Sequence, residues 1–451
     1  MTGVEKIFSN DTLFSAKELS FLKSDSKSSE NRNQSLPQGS LKSPEMYLSD
    51  QLSPCTAGMD AFILKLSRAD IHRDFFVCAV IKLHTRKTNP SARYHPVNEE
   101  TKQFLDNFLS PTRGIWYSIN LNHIALALWG GEKKTIEDHL FFIKKEIERT
   151  AQVTVSAGAC WSVAELKLEK AQFSRQEIFH NAVKALDHGA FYGPGNLTFF
   201  DAVSLNISGD RLYQLGRIKE AALEYKKGLD LDSENTNLLN SQGVCFALMN
   251  QLDLALKAFE KAIDINPEEV MAVYNAGLAC VVTQQMAKGL KYLQTASRLN
   301  SDIYEIDLTA GKLFTREQCF DEAEIHINRA ARLRPDLSSP YRTLGDLFMA
   351  IKKFNRAEAA YKKAVKLNSS DAYALSGLAR AYEIQNNNLD IALTFALESV
   401  DLEPDNPAFH RNLGRIYDKL KKNDLAEQSF EKSEKLKSAS VSEENNETIH
   451  S

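Results

Sequence analysis

Several signals that would narrow the function of a chain are missing from these 451 residues. The six cysteines (Cys55, Cys78, Cys160, Cys245, Cys280, Cys319) are scattered, with no CxxC pair and no nearby histidine pair. That spacing predicts buried free thiols, with no disulfide framework and no metal site. A formal net charge of -4 offers no bulk attraction for nucleic acid or an anionic membrane. The longest apolar runs, FFVCAVI and IALALWG, are far short of the roughly 20 residues of a spanning helix. The opening MTGVEKIFSNDTLF has no basic region leading into an apolar one, so no secretory signal is expected and the expected compartment is the cytoplasm.

The composition that remains, 43% apolar and 25% charged, is that of a globular protein, and the length calls for more than one core. Residues 1–58 hold 12 serines and few large apolar groups, too few to offset the entropy of ordering, so disorder is predicted there. Within them, TLFSAKELSFL has capping-box spacing at Ser15 and Glu18 and predicts a short helix that docks on the protein itself. The tail 441–451 is polar and is predicted to be disordered.

From Ala202 onward the chain repeats. Gly209, Gly243, Gly277, Gly311 and Gly345 recur every 34 residues. Ala221, Ala255, Ala323 and Ala357 keep the same interval, with Gly289 in the gap, and Tyr225, Phe259, Leu293, Ile327 and Tyr361 form a third register. Pro267 and Pro335 close two units. A sixth unit carries Ala379, Tyr382, Pro404 and one extra residue in QNNNLD, and a seventh carries Gly414, Tyr417, Ala426 and Phe430. This pattern over 202–440 resembles the tetratricopeptide repeat (TPR), whose small residues let paired helices cross closely. The resemblance implies an all-α superhelix of seven helix pairs that holds protein or peptide segments and has no catalytic residues. The first helix of each unit would line its inner face. Met271, Tyr274, Leu278 and Val281 would then form an apolar strip, and Arg342, Arg380, Arg411 and Arg415 a basic patch suited to an acidic segment. Pairing of those arginines with Asp346, Glu383 and Asp418 is the competing expectation.

Residues 60–201 read as alternating elements. FFVCAVIKL is a strand and NEETKQFLDNFL a helix; GIWYSINLN and HIALALWG form a hairpin. A helix follows over TIEDHLFFIKKEIERT, with Ile136, Leu140, Phe141, Ile143 and Ile147 on its apolar side, then the strand AQVTVSAGACW, the helix RQEIFHNAVKALDHG and the short strand NLTFF. The order β-α-β-β-α-β predicts an α+β, ferredoxin-like palm. VTVSAGAC and HNAVKALDHGAFYGPGN are similar to two segments of GGDEF (diguanylate-cyclase-like) domains.

LALWGGEKK looks like the GGDEF signature itself. A helix begins immediately after it, however, which leaves no room for a returning strand. The signature turn must therefore be Asn120, Leu121, Asn122, His123 and Ile124. By the resemblance, the metal-binding carboxylates give way to Lys82, His84 and His123, and a phosphate-binding lysine to Ala190. The RxxD motif would fall at PTRG and is absent. Two-metal phosphoryl chemistry needs hard oxygen ligands, so the resemblance implies a degenerate, non-catalytic domain with no metal and no cofactor. Asn89 and Glu99 stand where the family contacts a guanine base, beside His95. They are the candidates for residual nucleotide binding.

The function these readings predict is a non-catalytic adaptor in bacterial signalling or complex assembly, its repeat groove binding a protein or peptide partner. The alternative is a regulator that senses GTP or cyclic di-GMP through the degenerate domain.

Overall fold

A computed structural model describes residues 57–69, 71, 75–84, 97–109, 113–165, 170–300 and 302–447. The serine-rich segment with Ser15 and Glu18, and also Cys55, Asn89 and His95, lie outside the described residues. The chain forms two compact units that divide between Asn275 and Ala276.

The first unit begins with α1 (Ala57–Arg68), β1 (Phe76–His84), α2 (Glu99–Phe108), β2 (Gly114–Asn120), β3 (His123–Trp129), α3 (Lys133–Ala151) and β4 (Thr154–Trp161). The small strands β5 (Val163–Glu165) and β6 (Lys170–Gln172) precede α4 (Arg175–Gly189) and β7 (Leu197–Phe199). Five strands pair in the order β2-β3-β1-β4-β7, antiparallel except for β4 with β7. Strand β1 is central and buried on both faces, because its side chains alternate between two apolar layers. Val77, Ala79, Ile81 and Leu83 join Leu105 of α2 and Leu140, Ile143 and Ile147 of α3. Cys78 and Val80 face Phe62 and Leu66 of α1 and Phe179, Ala182 and Leu186 of α4.

Three features depart from the sequence reading. Helix α1 was not anticipated, although Met59, Phe62 and Leu66 show helical spacing and are buried. The β5–β6 hairpin is also new. Phe141 is 49% exposed: its neighbour Leu140 completes the buried stripe Ile136, Leu140, Ile143, Ile147, and the ring instead lies 4.8 Å from Lys145 Nζ. Helix α4 lies on β4 at Gly158, where a Cβ would stand 2.1 Å from Leu186 N.

The repeat region starts in the same unit. α5 (Ala202–Gln214) pairs with α6 (Ile218–Leu231), and α7 (Thr236–Leu248) with α8 (Leu252–Ile265); α9 (Val270–Val282) follows. Only Phe200 and Asp201 separate β7 from α5, and Asp201 caps α5 by accepting from Ser204 N at 2.8 Å. Lys184 of α4 is ion-paired with Glu224 of α6, and His188 of α4 meets Ser204 Oγ at 3.2 Å. The α+β region and the first helix pair are thus joined by side chains as well as by chain.

The second unit continues with α10 (Met286–Leu299), then the pairs α11 (Tyr304–Arg316) and α12 (Phe320–Leu333), and α13 (Ser338–Ala350) and α14 (Phe354–Leu367). It ends with α15 (Ala372–Gln385) and α16 (Leu389–Leu402), then α17 (Pro407–Lys419) and α18 (Asn423–Glu447). Each turn inside a pair places one residue in the left-handed region: Gly216, Asn250, Gln284, Gln318, Lys352, Asn386 and Lys421. Six of the seven are not glycine. The extra residue of QNNNLD is absorbed by a second left-handed residue, Asn388. Helix α18 runs to Glu447, so the tail expected to be disordered is helical through that residue. No proline or glycine interrupts 423–447, and nothing stops the helix. Cys78, Cys160, Cys245 and Cys280 are buried free thiols, while Cys319 is partly exposed. No helix among the described residues is long and apolar enough to cross a membrane.

Candidate partner-binding surface and sheet-end cluster

The apolar strip of α9 is not an open surface. Tyr274, Leu278 and Val281 are 1%, 0% and 4% exposed, and only Met271 is half-buried. The sequence VMAVYNAGLACVV has no charge to mark a solvent side, so core and surface positions look alike in it. Val281 packs within its own repeat, where a Cβ on Gly289 would come 2.8 Å from Val281 Cγ2.

The basic patch is partly neutralised. Arg342 Nη1 donates to Asp371 Oδ1 at 3.0 Å and its guanidinium lies 5.3 Å from the Tyr373 ring. Arg380 is ion-paired with Glu383, which also takes Lys419 at 3.1 Å, and Arg411 reaches Glu434 at 3.6 Å. Asp346 is not the partner of Arg342. It accepts from Tyr361 Oη at 2.6 Å, and burial raises its pKa against the pull of that bond and of Arg342 and Lys312. Arg415 differs from the other three. Among the described residues no carboxylate bonds it, and burial, then Arg380, then Arg411 lower its pKa, with Glu383 opposing.

Sequence reasoning missed Asp371, whose carboxylate caps α15 through Ala374 N, takes Ser338 Oγ at 2.9 Å and holds Arg342. An acid one residue before a helical run was its signal. The candidate Glu99 stands at the start of a helix. It opens α2, is largely exposed, and pairs with Lys102 one turn on.

The β2–β3 turn lies at Leu121 and Asn122, and α3 begins at Lys133 directly after WGGE, as the register argument requires. Lys82 stands opposite His123 on one side and Ser156 on the other, so these side chains share a face of the sheet. His123 is 3% exposed. Its Nδ1 meets Asn120 Oδ1 at 2.8 Å, and its Nε2 has no hydrogen-bond partner. Burial, then Lys82, then His84 push its pKa down to about 4. His84 Nε2 contacts Ser156 Oγ at 2.8 Å, and Gly195 N donates to the same oxygen at 3.0 Å. Ala190 lies in a short 3-10 turn after α4. No group of three His, Cys, Asp or Glu residues gathers as a metal site among the described residues.

Models of the tetratricopeptide repeat match residues 208–270, 342–407 and 412–440. No curated protein matches the chain. Solved structures similar to it include YrrB, a TPR protein with an unusual peptide-binding site. It is 17% identical with a TM-score of 0.36, over 41% of this chain and 95% of YrrB. PilF of Pseudomonas aeruginosa is 17% identical with a TM-score of 0.42, over 46% and 94% of the two chains. PilW, a type IV pilus biogenesis factor, is 16% identical with a TM-score of 0.42, over 46% and 96%. The helix pairs, their 34-residue spacing and the matched models agree, and the C-terminal half of this chain is built of tetratricopeptide repeats.

Proposed function

We propose that the protein is a non-catalytic adaptor whose repeats hold an acidic protein or peptide segment. TPR arrays are generally protein-interaction scaffolds, and Arg415 carries the reading here. Its half-buried guanidinium faces Arg380 and Arg411, while Glu383 is already engaged by Arg380 and Lys419. A guanidinium removed from water without an acid is stabilised when a partner's carboxylate reaches it. Arg380 and Arg411 flank that position.

The α+β region fits a degenerate GGDEF-like domain of ferredoxin-like order. In that reading Lys82, His84 and His123 occupy places where a metal-dependent cyclase needs carboxylates, so it performs no phosphoryl transfer. Its packing through Lys184 and His188 makes it an end cap for the first repeat. Charge reversal at Arg380 and Arg415 together tests the adaptor. Capture of the native partner from cell extract is expected to fall while the helical circular dichroism stays unchanged; undiminished capture by the double variant defeats the proposal.

A further inference from the structure

We infer that the outer face of the last repeat docks an amphipathic helix of a partner protein, with two basic residues beside its apolar stripe. The inference does not rest on the arginine surface and starts from one ring. The third register of the repeats is buried in each of the first six units: Tyr225, Phe259, Leu293, Ile327, Tyr361 and Ala396 are at most 2% exposed. Phe430 holds the same register in the seventh unit and is 36% exposed. It packs within its own helix pair as the others do, since a Cβ on Gly414 would stand 2.7 Å from its Cε1. What differs is the cover. Leu238 and Cys245 of α7 pack on Tyr225, and Gly377 of α15 lies against Tyr361. Among the described residues no further helix follows α18 to do the same for Phe430.

The ring opens instead into a groove of about 500 Å³, whose lining includes Asp418, Ala426, Glu427, Glu431 and Glu434. Glu434 is engaged by Lys437 at 2.9 Å and by Arg411 at 3.6 Å. Asp418, Glu427 and Glu431 are exposed and make no ion pair among the described residues. An accessible aromatic ring inside an unpaired acidic rim is complementary to an apolar stripe flanked by cations.

The repeat itself places those cations. Glu358, Tyr361 and Lys362 of α14 correspond to Glu427, Phe430 and Glu431 of α18. In the array, Gln385 of α15 donates to Glu358 at 3.1 Å, and Lys362 Nζ lies 5.4 Å from the Tyr382 ring. A helix that docks on α18 as α15 does on α14 therefore carries a small residue in the place of Gly377. Lysine or arginine in the places of Tyr382 and Gln385 then meets Glu431 and Glu427. A second copy of this chain fits poorly. Two α18 faces brought together would oppose carboxylate to carboxylate, and α5, the first helix of the first unit, is already taken by α4 through His188 and Ser204.

The test is fluorescence anisotropy with the full-length chain and two labelled peptides of the α15 sequence Ala372–Gln385. Each is held helical by a crosslink on the side away from Gly377, Tyr382 and Gln385. One keeps the sequence, and the other carries Tyr382→Lys and Gln385→Lys. The lysine peptide is expected to bind about fivefold tighter at low salt, and the margin to shrink as salt rises. Glu427→Lys with Glu431→Lys, a change at two exposed positions of the chain, is expected to reverse the order of the peptides. No binding of the lysine peptide at about 1 mM, equal affinity for the two, or an order kept in E427K/E431K would each overturn the assignment. A face already covered, by a second copy or by other residues of this chain, gives the first of these results and removes the partner helix with it.

Discussion

Gly345 lies so close to the ring of Tyr361 that a Cβ added to it would stand 2.5 Å from Cε1. Gly377 approaches the same ring, its Cβ position 2.5 Å from Cε1 and Cζ. Tyr361 is 2% exposed and its hydroxyl donates to Asp346, so the ring has no room to retreat. Gly345→Ala is therefore expected to destabilise the repeats by about 2 kcal/mol. Urea denaturation of the full chain measures it, and a midpoint equal to wild type would refute the tight crossing.

The turn residue Lys352 has φ +59°. A non-glycine residue in the left-handed region is strained by about 1 kcal/mol, and glycine relieves the strain at some entropic cost. Lys352→Gly should raise the melting temperature slightly, by a net gain of a few tenths of a kcal/mol. A clear fall would mean that the lysine side chain stabilises the turn in another way.

Lys184 and Glu224 bind the α+β region to the first helix pair, with side chains 19% and 9% exposed. Lys184→Ala leaves a nearly buried carboxylate with the Ser208 hydroxyl at 3.1 Å and the 3.6 Å contact to exposed Lys227, too little to replace the lost ammonium, and about 2 kcal/mol of destabilisation is expected. The double change Lys184→Met with Glu224→Leu should recover most of it. Thermal melts of the two variants decide the matter, and equal losses would show that the pair itself is unimportant.

His123 gives a pH dependence of stability. Its pKa is about 4 in the folded chain against an ordinary 6.5. The unfolded chain binds the extra proton first, so stability is full above pH 6.5 and declines as pH falls toward 4. The loss reaches about 3 kcal/mol for this group alone. His123→Gln should flatten the stability profile between these pH values, and a slope unchanged in the variant would remove His123 as its source.

The repeats were legible because close crossings need small residues at a fixed interval, and Gly209 through Gly345 mark them. The hairpin register was legible for a similar reason: a helix beginning at Lys133 leaves one way to thread β3. The apolar strip was misread because α9 carries no charge from Val270 to Val282. Helical position alone does not separate a residue such as Val281, packed at Gly289, from one that faces outward. The state of each arginine was hidden for a further reason. Asp371, the acid that holds Arg342, lies 29 residues away, and only the stacking of helix pairs brings them together. The proton on His123 depends on Asn120 through the turn, which the residue types by themselves do not reveal.

Strand β7 lies parallel to β4, with Ala157 N donating to Asn196 O at 2.8 Å and Phe200 N to Ala159 O at 2.7 Å. Asp201 begins α5 one residue later. Tension applied to α5 along the direction of β7 would load these bonds in shear, several at once, instead of peeling them one by one. A partner tugging on the first repeat would therefore strain the sheet at the strand that leaves Gly195 beside Ser156, and the junction would act as a rod, with no slack to take up.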